Sequence, residues 1–436
     1  MSKSLLYELI EKKRSTMRDL TDEQALKLFK TSFPDEIEHL KGASATVESG
    51  DGLDVQTASM LLFDKQYIEV DRTLTSMLAI KWLLADDYKT FTSGQTNDIL
   101  SEDSFRQLRE CLSDKVCRKE SLKALFAAML IDDIGKDASL AEKLGESKDK
   151  NHSVIVLRAA EKGLIPALKT LPQDQQDIII QSLEIGAKLD ISQVVQAETA
   201  PNSLCALRTG KDLEQAFNMR AIITFLDVAG AAAHRNPKGG AVMTESVFQH
   251  YKKAMDIMDQ YRTGKIEDSQ QCYDRYLSYR ADVLAQRNFP LLNPADQTDR
   301  ALLRLLCMGR VEHKKPAEQF QAAFESLPPD KKSQLINGLS VNGVTDGIAI
   351  LPYYAPGILA EARRNLPDED ETSIINAIKA FMELLARVFE GSEPHPNMPG
   401  GIKERDLSAS HIQEVVKGAA FRKDPSVLAN IELKWD

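Results

Sequence analysis

Two adjacent carboxylates and a lysine stand at the end of an apolar run in the stretch AAMLIDDIGKDASL. On a helix, Asp132 and Lys136 would share one face, and Asp133 and Asp137 would share the neighbouring face. Adjacent carboxylates without soft donors beside them suit Mg²⁺, a hard cation that prefers oxygen ligands and in turn holds phosphate groups. The same pattern is typical of a solvated helix end that leaves a protein core, so the residue types leave both interpretations open.

Apolar residues at helical spacing precede this stretch, and they belong to the elements that must position it. One helix face of SLKALFAAML carries Leu122, Leu125, Phe126, Met129 and Leu130. Other segments show the same periodicity: DRTLTSMLAIKWLLADDY, SVFQHYKKAMDIMDQY and SIINAIKAFMELLARVF. Alternating runs bounded by turns are rare, and no hairpin is indicated. The sequence therefore predicts an all-α protein.

The composition limits the classes of function that are compatible with the chain. It has 436 residues, of which 43% are apolar, so one large domain or two can bury a core. The formal net charge of −10 disfavours a general surface for nucleic acid or for anionic membrane. No run approaches the ~18 apolar residues of a membrane span, and the five scattered cysteines form no CxxC pair. We therefore expect a soluble, cytoplasmic protein without nucleic-acid partners.

Turn-rich stretches suggest how the chain is organised. The clearest is EGSEPHPNMPGGIKE, residues 390–404, whose prolines and glycines are typical of a linker. We predict an N-terminal helical segment (1–64), a helical core that carries the site (65–330) and accessory C-terminal helices (331–436).

Four segments, taken in order along the chain, resemble the HD superfamily of metal-dependent phosphohydrolases. LFAAMLIDDIGKD resembles its buried helix with a terminal pattern like LLHDIGK, and His152 in NHSVIVLRAAEKGLI stands where a later histidine is usual. RAIITFLDVAGAAAH, with Asp227, resembles the last metal-binding segment. YIEVDRTLTSMLAIKWLL resembles the first ligand helix, with Asp71 where a histidine is usual. The resemblance covers roughly residues 65 to 265 and implies an HD-like helical core.

The departures from that pattern point away from ordinary HD-type hydrolysis. Asp132 replaces the signature histidine and Asp71 replaces the first one. Because imidazole suits transition metals and carboxylate suits Mg²⁺, these replacements favour an oxygen-rich site. Such a site could hold diphosphate through Mg²⁺ without hydrolysing it.

In chain length, helical character and aspartate-rich site, the sequence resembles the non-canonical fungal humulene synthases of tropolone-sesquiterpenoid pathways. This resemblance implies Mg²⁺-dependent cyclisation of farnesyl diphosphate, with an essential lysine and release of diphosphate. DDIGKD is loosely like the DDxxD box of terpene synthases, but the chain has no second box of the form NDxxSxxxE.

These resemblances, together with the cations and the apolar lining that a diphosphate substrate would need, suggest candidate residues. The predicted metal ligands are Asp132, Asp133, Asp227, Asp71 and His152. The predicted catalytic cations are Lys265, taken as the family's essential lysine, and Lys136. The predicted binding residues are Arg262, Arg235 and Lys238 for diphosphate, and Met258, Tyr261 and Phe225 for the apolar part of the substrate. A solvated surface also accounts for the basic residues, and core packing also accounts for the apolar ones.

Three functions remain open at this point. A sesquiterpene cyclase would form a humulene-type hydrocarbon from a diphosphate substrate with Mg²⁺. A divergent HD-type phosphohydrolase would act on a nucleotide or a phosphate ester. A helical interaction protein would do neither, and its carboxylates would be a solvated helix end. The sequence does not decide whether the chain forms a homodimer.

Overall fold

The computed structural model describes residues 4–12, 16–44, 56–115, 118–147, 151–210, 213–366 and 370–433. Across these residues α-helices follow one another with short turns between them, and only two short strands interrupt the series. The prediction of an all-α protein is confirmed. No helix in these ranges combines the length and the apolarity that a membrane crossing requires.

The elements before residue 190 are α1 (Leu5–Lys12), α2 (Thr16–Asp19), α3 (Asp22–Ser32), α4 (Pro34–Ala43), α5 (Ala58–Phe63), α6 (Ile68–Ala85), α7 (Tyr88–Thr92), α8 (Glu102–Lys115), α9 (Lys119–Ile131), a 3-10 turn (Ile134–Lys136), α10 (Ala138–Leu144), α11 (His152–Glu161), α12 (Pro166–Lys169) and α13 (Gln173–Gly186). The later elements are α14 (Ile191–Val195), a 3-10 segment (Pro201–Arg208), α15 (Leu213–Gly230), α16 (Glu245–Arg262), α17 (Ser269–Gln286), α18 (Gln297–Met308), α19 (Lys314–Glu325), α20 (Pro329–Ser340), β1 (Asp346–Leu351), α21 (Ala355–Arg364), α22 (Glu371–Val388), β2 (Met398–Glu404), α23 (Ser410–Lys417), α24 (Ala419–Lys423) and a last 3-10 segment (Pro425–Asn430).

The chain divides into two compact units. The first consists of Met1–Asp190 with Thr209–Lys252, and the second consists of Ile191–Arg208 with Lys253–Asp436. The predicted boundaries near 64 and near 330 remain predictions. A short segment in the middle of the chain, residues 191–208, joins the later half, and sequence order does not reveal such an exchange.

Helices α6, α9 and α15 form the centre of the first unit. α6 packs against α15 and α9, and α15 packs in turn against α9 and α13. Their sequences are apolar on nearly every side, as expected for helices enclosed by others, and α6 is buried along most of its length. Charged residues on such helices must find partners inside the protein, because a buried unpaired charge is very costly.

Helices α17, α18, α20 and α22 form much of the second unit. α18 packs against α17, α19 and α20, and α22 packs against α19, α20 and α21. On α18, the fully buried guanidinium of Arg304 donates to the carbonyl oxygens of Ala197, Glu198, Thr199 and Leu339. These bonds fix the early segment that contains α14 to this unit.

Strands β1 and β2 form a parallel pair within the second unit. β2 lies inside residues 390–404, so the prediction that this stretch is only a linker is wrong. A Cβ atom on Gly400 would lie 2.1 Å from the carbonyl oxygen of Gly343 and 2.2 Å from that of Val344. The glycine therefore allows a backbone approach that any other residue would block.

Candidate functional site

Charged side chains from four separate segments meet inside the first unit. They come from the start of α6, from the turn after α9, from the first residue of α11 and from α15. We call this set the ionic cluster, and its members are Glu69, Arg72, Asp133, Lys136, His152 and Asp227.

Arg72 joins three of the carboxylates. Its Nη2 atom lies 3.2 Å from Oδ1 of Asp227 and 3.9 Å from Oδ2 of Asp133. Its Nη1 atom lies 3.3 Å from Oε2 of Glu69, one helical turn earlier on α6. One guanidinium therefore bridges side chains that three different segments supply.

Lys136 is the second cation of the cluster. Its Nζ atom lies 2.8 Å from Oδ1 of Asp133 and 3.1 Å from Oε2 of Glu69. The same Asp133 oxygen lies 3.8 Å from Nε2 of His152. Asp133 thus stands between a lysine, an arginine and a histidine, and it is itself almost entirely buried.

The charge state of Asp133 follows from these neighbours. Burial alone would raise the pKa of this carboxyl, but the ammonium of Lys136 and the guanidinium of Arg72 hold it well below its ordinary range. The pKa of Lys136 is raised in return, because the attraction of Asp133 and Glu69 outweighs the effect of burial. This part of the cluster is therefore fully ionised at neutral pH.

Two other members of the cluster are easier to neutralise. The pKa of Asp227 is raised to about 6, mainly by burial and also by the carboxylates of Asp133 and Asp132, against the pull of Arg72. Burial also lowers the pKa of His152, with a further lowering by Lys136. At neutral pH His152 is therefore an uncharged imidazole, and Asp227 is a carboxyl that can take up a proton.

Asp132 faces a different partner from its neighbour Asp133. Its two oxygens accept from Nη1 and Nη2 of Arg220 at 2.7 and 2.9 Å. This bidentate geometry is the strongest form of carboxylate recognition by arginine. It ties the end of α9 to α15 and fixes the helix end from which Asp133 and Lys136 project.

Two glycines allow the helices to approach closely enough to form the cluster. A Cβ on Gly230 would lie 2.2 Å from Oγ of Ser76 and 2.4 Å from the carbonyl oxygen of Arg72. A Cβ on Gly135 would lie 2.1 Å from the carbonyl oxygen of His152. The small residue at 230 therefore brings Asp227 to Arg72, and the one at 135 brings the turn after α9 to the start of α11.

The donor chemistry of the cluster suits Mg²⁺, but its arrangement does not. Carboxylate oxygens are the ligands this ion prefers. However, the guanidinium of Arg72 occupies the position between Asp133 and Asp227, and Arg220 engages both oxygens of Asp132. Across the described ranges, no group of three or more His, Cys, Asp and Glu side chains has the spacing of a metal site. As arranged, these residues do not fit a bound divalent ion.

Comparison with known proteins gives a family for the chain. Residues 26–428, nearly the whole sequence, match the family of unknown function DUF6829. The chain belongs to the DUF6829 family. No curated protein and no solved structure matches the sequence. The family description names no activity, so the function of this DUF6829 protein must be argued from its own residues.

Asp71, a predicted metal ligand, lies apart from the ionic cluster. Its Oδ1 atom accepts from the backbone N–H of Ser59 at 2.7 Å, and Oδ2 lies 3.4 Å from Nε2 of Gln66. Asp71 is fully buried, and burial raises its pKa. It holds the start of α6 against α5, and its neighbour Arg72 is the residue of this helix that reaches the cluster.

Four predicted residues belong to the second unit. Arg262 pairs with Asp259 on its own helix at 2.7 Å, and Met258 is buried. Tyr261 is also buried, and the guanidinium of Arg208 lies 4.0 Å from its ring centre. Lys265 is exposed in the turn that follows α16. The roles predicted for these four residues remain predictions.

The remaining predicted binding residues are in the first unit. Arg235 is exposed, and its Nε donates to Nε2 of His234 at 2.9 Å. Lys238 is exposed in the same turn. Phe225 is buried against Phe248, with ring centres 5.6 Å apart. The structure brings Asp133, Asp227, His152 and Lys136 together, and the roles predicted for these residues and for Phe225 remain predictions.

Three charged residues of the site were not predicted, namely Glu69, Arg72 and Arg220. A signal for them exists in the sequence. Arg220 and Asp227 are two helical turns apart and are the charged residues of an otherwise apolar stretch. Because lone charges on a buried helix need partners, each such residue on α6 and α15 was a candidate for the same interior cluster.

Proposed function

We propose that this chain is an enzyme that removes a diphosphate or phosphate group from its substrate, with the ionic cluster as its reaction centre. The observation that carries the proposal is the position of Arg72, which links the almost entirely buried Asp133 to the partly buried Asp227. Buried charges cost several kcal/mol of desolvation each. Clusters that combine burial, paired charges and shifted pKa values are therefore candidates for functional sites.

The first reaction that we propose is the cyclisation of farnesyl diphosphate to a humulene-type hydrocarbon. Arg72 and Lys136 would exchange a carboxylate partner for oxygens of the diphosphate and would stabilise the negative charge that develops as it departs. Asp133 and Glu69 would hold both cations in position. Mg²⁺ would accompany the substrate as the counter-ion of its diphosphate, and no step uses a metal bound by the protein.

A second candidate is hydrolysis of a phosphate ester or nucleotide. It is supported by the meeting of Asp133, His152 and Asp227, which lie on the segments that resemble HD phosphohydrolases. In this case the neutral imidazole of His152 would accept a proton from the attacking water. The two candidates share the departure of a phosphate group and differ in whether water or a carbon–carbon double bond reacts next.

One experiment separates the candidates. The purified chain is incubated with farnesyl diphosphate and Mg²⁺, the organic layer is analysed by gas chromatography–mass spectrometry, and inorganic diphosphate and phosphate are measured in the aqueous layer. A cyclase gives a sesquiterpene hydrocarbon and diphosphate in equal amounts. Farnesol with diphosphate or phosphate indicates hydrolysis instead. No release from farnesyl diphosphate or from a panel of nucleotides would contradict the proposal.

A further inference from the structure

The carboxylates that the sequence assigns to a metal ion already face a cation of the protein. A single nitrogen, Nη2 of Arg72, lies within 3.2 Å of Asp227 and within 3.9 Å of Asp133. A divalent ion that used both carboxylates would have to occupy the same space. A bound Mg²⁺ needs oxygen ligands at about 2.0–2.1 Å in near-octahedral geometry.

The other carboxylates of the cluster, and Asp132 beside it, also face side-chain cations. The Nζ atom of Lys136 lies 2.8 Å from Oδ1 of Asp133 and 3.1 Å from Oε2 of Glu69. Arg220 takes both oxygens of Asp132 at 2.7 and 2.9 Å. The carboxylates of Glu69, Asp132, Asp133 and Asp227 therefore each have a guanidinium or an ammonium as counter-charge.

We infer that Arg72 is the resident cation of this centre and takes the place that a divalent metal would need between Asp133 and Asp227. The positive charge is then covalently part of α6 and cannot be removed by a chelator. The same geometry identifies the residue that excludes the metal. Replacing Arg72 by histidine removes the guanidinium and offers an imidazole to a site that already contains two carboxylates and His152.

This inference concerns the same cluster as the proposed function, but its test needs no substrate. Metal-stripped protein is titrated with Mn²⁺, and the unbound ion is measured by electron paramagnetic resonance. We compare the wild type with Arg72→His. The matched control is Arg109→His, which makes the same substitution in a half-exposed pair with Asp86 at 3.1 Å.

We expect no stoichiometric Mn²⁺ binding by the wild type or by the Arg109→His control. The Arg72→His variant is expected to bind one Mn²⁺ per chain, at least about tenfold more tightly than the wild type, because imidazole and carboxylate suit this ion. Circular dichroism and thermal melting establish that each variant is folded.

Two results would overturn the inference. The first is one Mn²⁺ bound per wild-type chain and lost in Asp133→Asn, since the metal would then share the site with Arg72 in place. The second is a folded Arg72→His variant that binds no Mn²⁺. If Arg72→His does not fold, Arg72→Ala is titrated in its place, and a folded alanine variant without Mn²⁺ binding would overturn the inference equally. Neither result depends on whether farnesyl diphosphate is turned over.

Discussion

Asp132 and Asp133 are adjacent in sequence, and the structure gives them different tasks. Asp132 is held by both nitrogens of one arginine, Arg220, whereas Asp133 is shared by Lys136 and Arg72. We therefore assign a structural role to the first carboxylate and a role in the reaction to the second. The sequence predicted a common role because it could not show which cation each carboxylate meets.

Asp132→Asn is expected to destabilise the fold. The substitution leaves the mostly buried guanidinium of Arg220 without the carboxylate that pairs with it, and because both side chains keep some exposure we expect a cost of roughly 3 kcal/mol, the lower end for buried pairs. Chemical denaturation measures the change in free energy of unfolding. Asp103→Asn is the control, because Asp103 is 79% exposed and its loss should cost no more than about 0.5 kcal/mol. Equal stability of the two variants would show that the pair with Arg220 does not form.

The two candidate lysines can be separated by substitution. Lys136→Met keeps the length of the side chain and removes the charge beside Asp133, so we expect turnover to fall by about 100-fold or more. Lys265→Ala tests the lysine that the sequence resemblance favours, which the structure places in an exposed turn of the second unit. Steady-state rates on the active substrate decide between them. A Lys136→Met enzyme with the wild-type rate would remove Lys136 from the reaction.

His234 makes stability depend on pH. Burial, followed by the charges of Arg235 and Arg72, lowers the pKa of this imidazole from 6.5 to about 4, and its Nδ1 atom is buried without a partner among the described residues. His234 is harder to protonate in the folded protein than in the unfolded chain. Its contribution to the free energy of unfolding is therefore complete above pH 6.5 and is lost as the pH falls toward 4.

The His234→Gln variant isolates this effect. The free energy of unfolding of the wild type, minus that of the variant, is measured at several pH values between 4 and 7. We expect the difference to shrink by about 1 kcal/mol toward low pH, a modest value because His234 is partly exposed to solvent. A difference that stays constant with pH would contradict the pKa assignment.

At the scale of elements, the contact between α6 and α15 sets the geometry of the cluster. Gly230→Ala would place a methyl group 2.2 Å from Oγ of Ser76, so the helices must separate and Asp227 must move away from Arg72. Forced overpacking of this kind costs about 1–3 kcal/mol, and we expect a parallel loss of turnover.

Thermal melting and initial rates measure both effects of Gly230→Ala. The control is Gly401→Ala on β2, where the nearest atom to the added Cβ would be Cγ1 of Ile348 at 3.9 Å. If the two alanine variants behave alike, the close approach of α15 to α6 is not what holds the cluster together.

The resemblance implied which segments contribute to the site but not which residue of α6 faces the cluster. Neighbouring helical positions differ by about 100° around the axis, so Asp71 and Arg72 point in different directions. α6 is buried on nearly all sides, and its apolar pattern therefore marks no single inward face. Asp71 was predicted because it stands where the HD pattern has a histidine, whereas in the structure Arg72 is the residue that contacts Asp133 and Asp227.

At the scale of the whole molecule, the sequence predicted the fold class but did not show how the chain divides into two units. Helical periodicity over long apolar segments predicts helices reliably because it reflects burial of one face or of the whole helix. Residues 191–208 join the later half of the chain through the buried guanidinium of Arg304, which contacts carbonyl groups more than a hundred positions earlier. Long-range pairings of this kind have no local signature, and neither has the strand β2 within the predicted linker.

The central claim is that the ionic cluster of the first unit is the reaction centre. The most direct test compares the release of diphosphate or phosphate by the wild type, Asp133→Asn and the exposed control Asp103→Asn, using the substrate that the product analysis identifies. We predict that the wild type and the control react at similar rates. We predict that a folded Asp133→Asn variant loses about 100-fold or more of the rate, because Arg72 and Lys136 lose the carboxylate that positions them. A folded Asp133→Asn variant that reacts at the wild-type rate would contradict the claim.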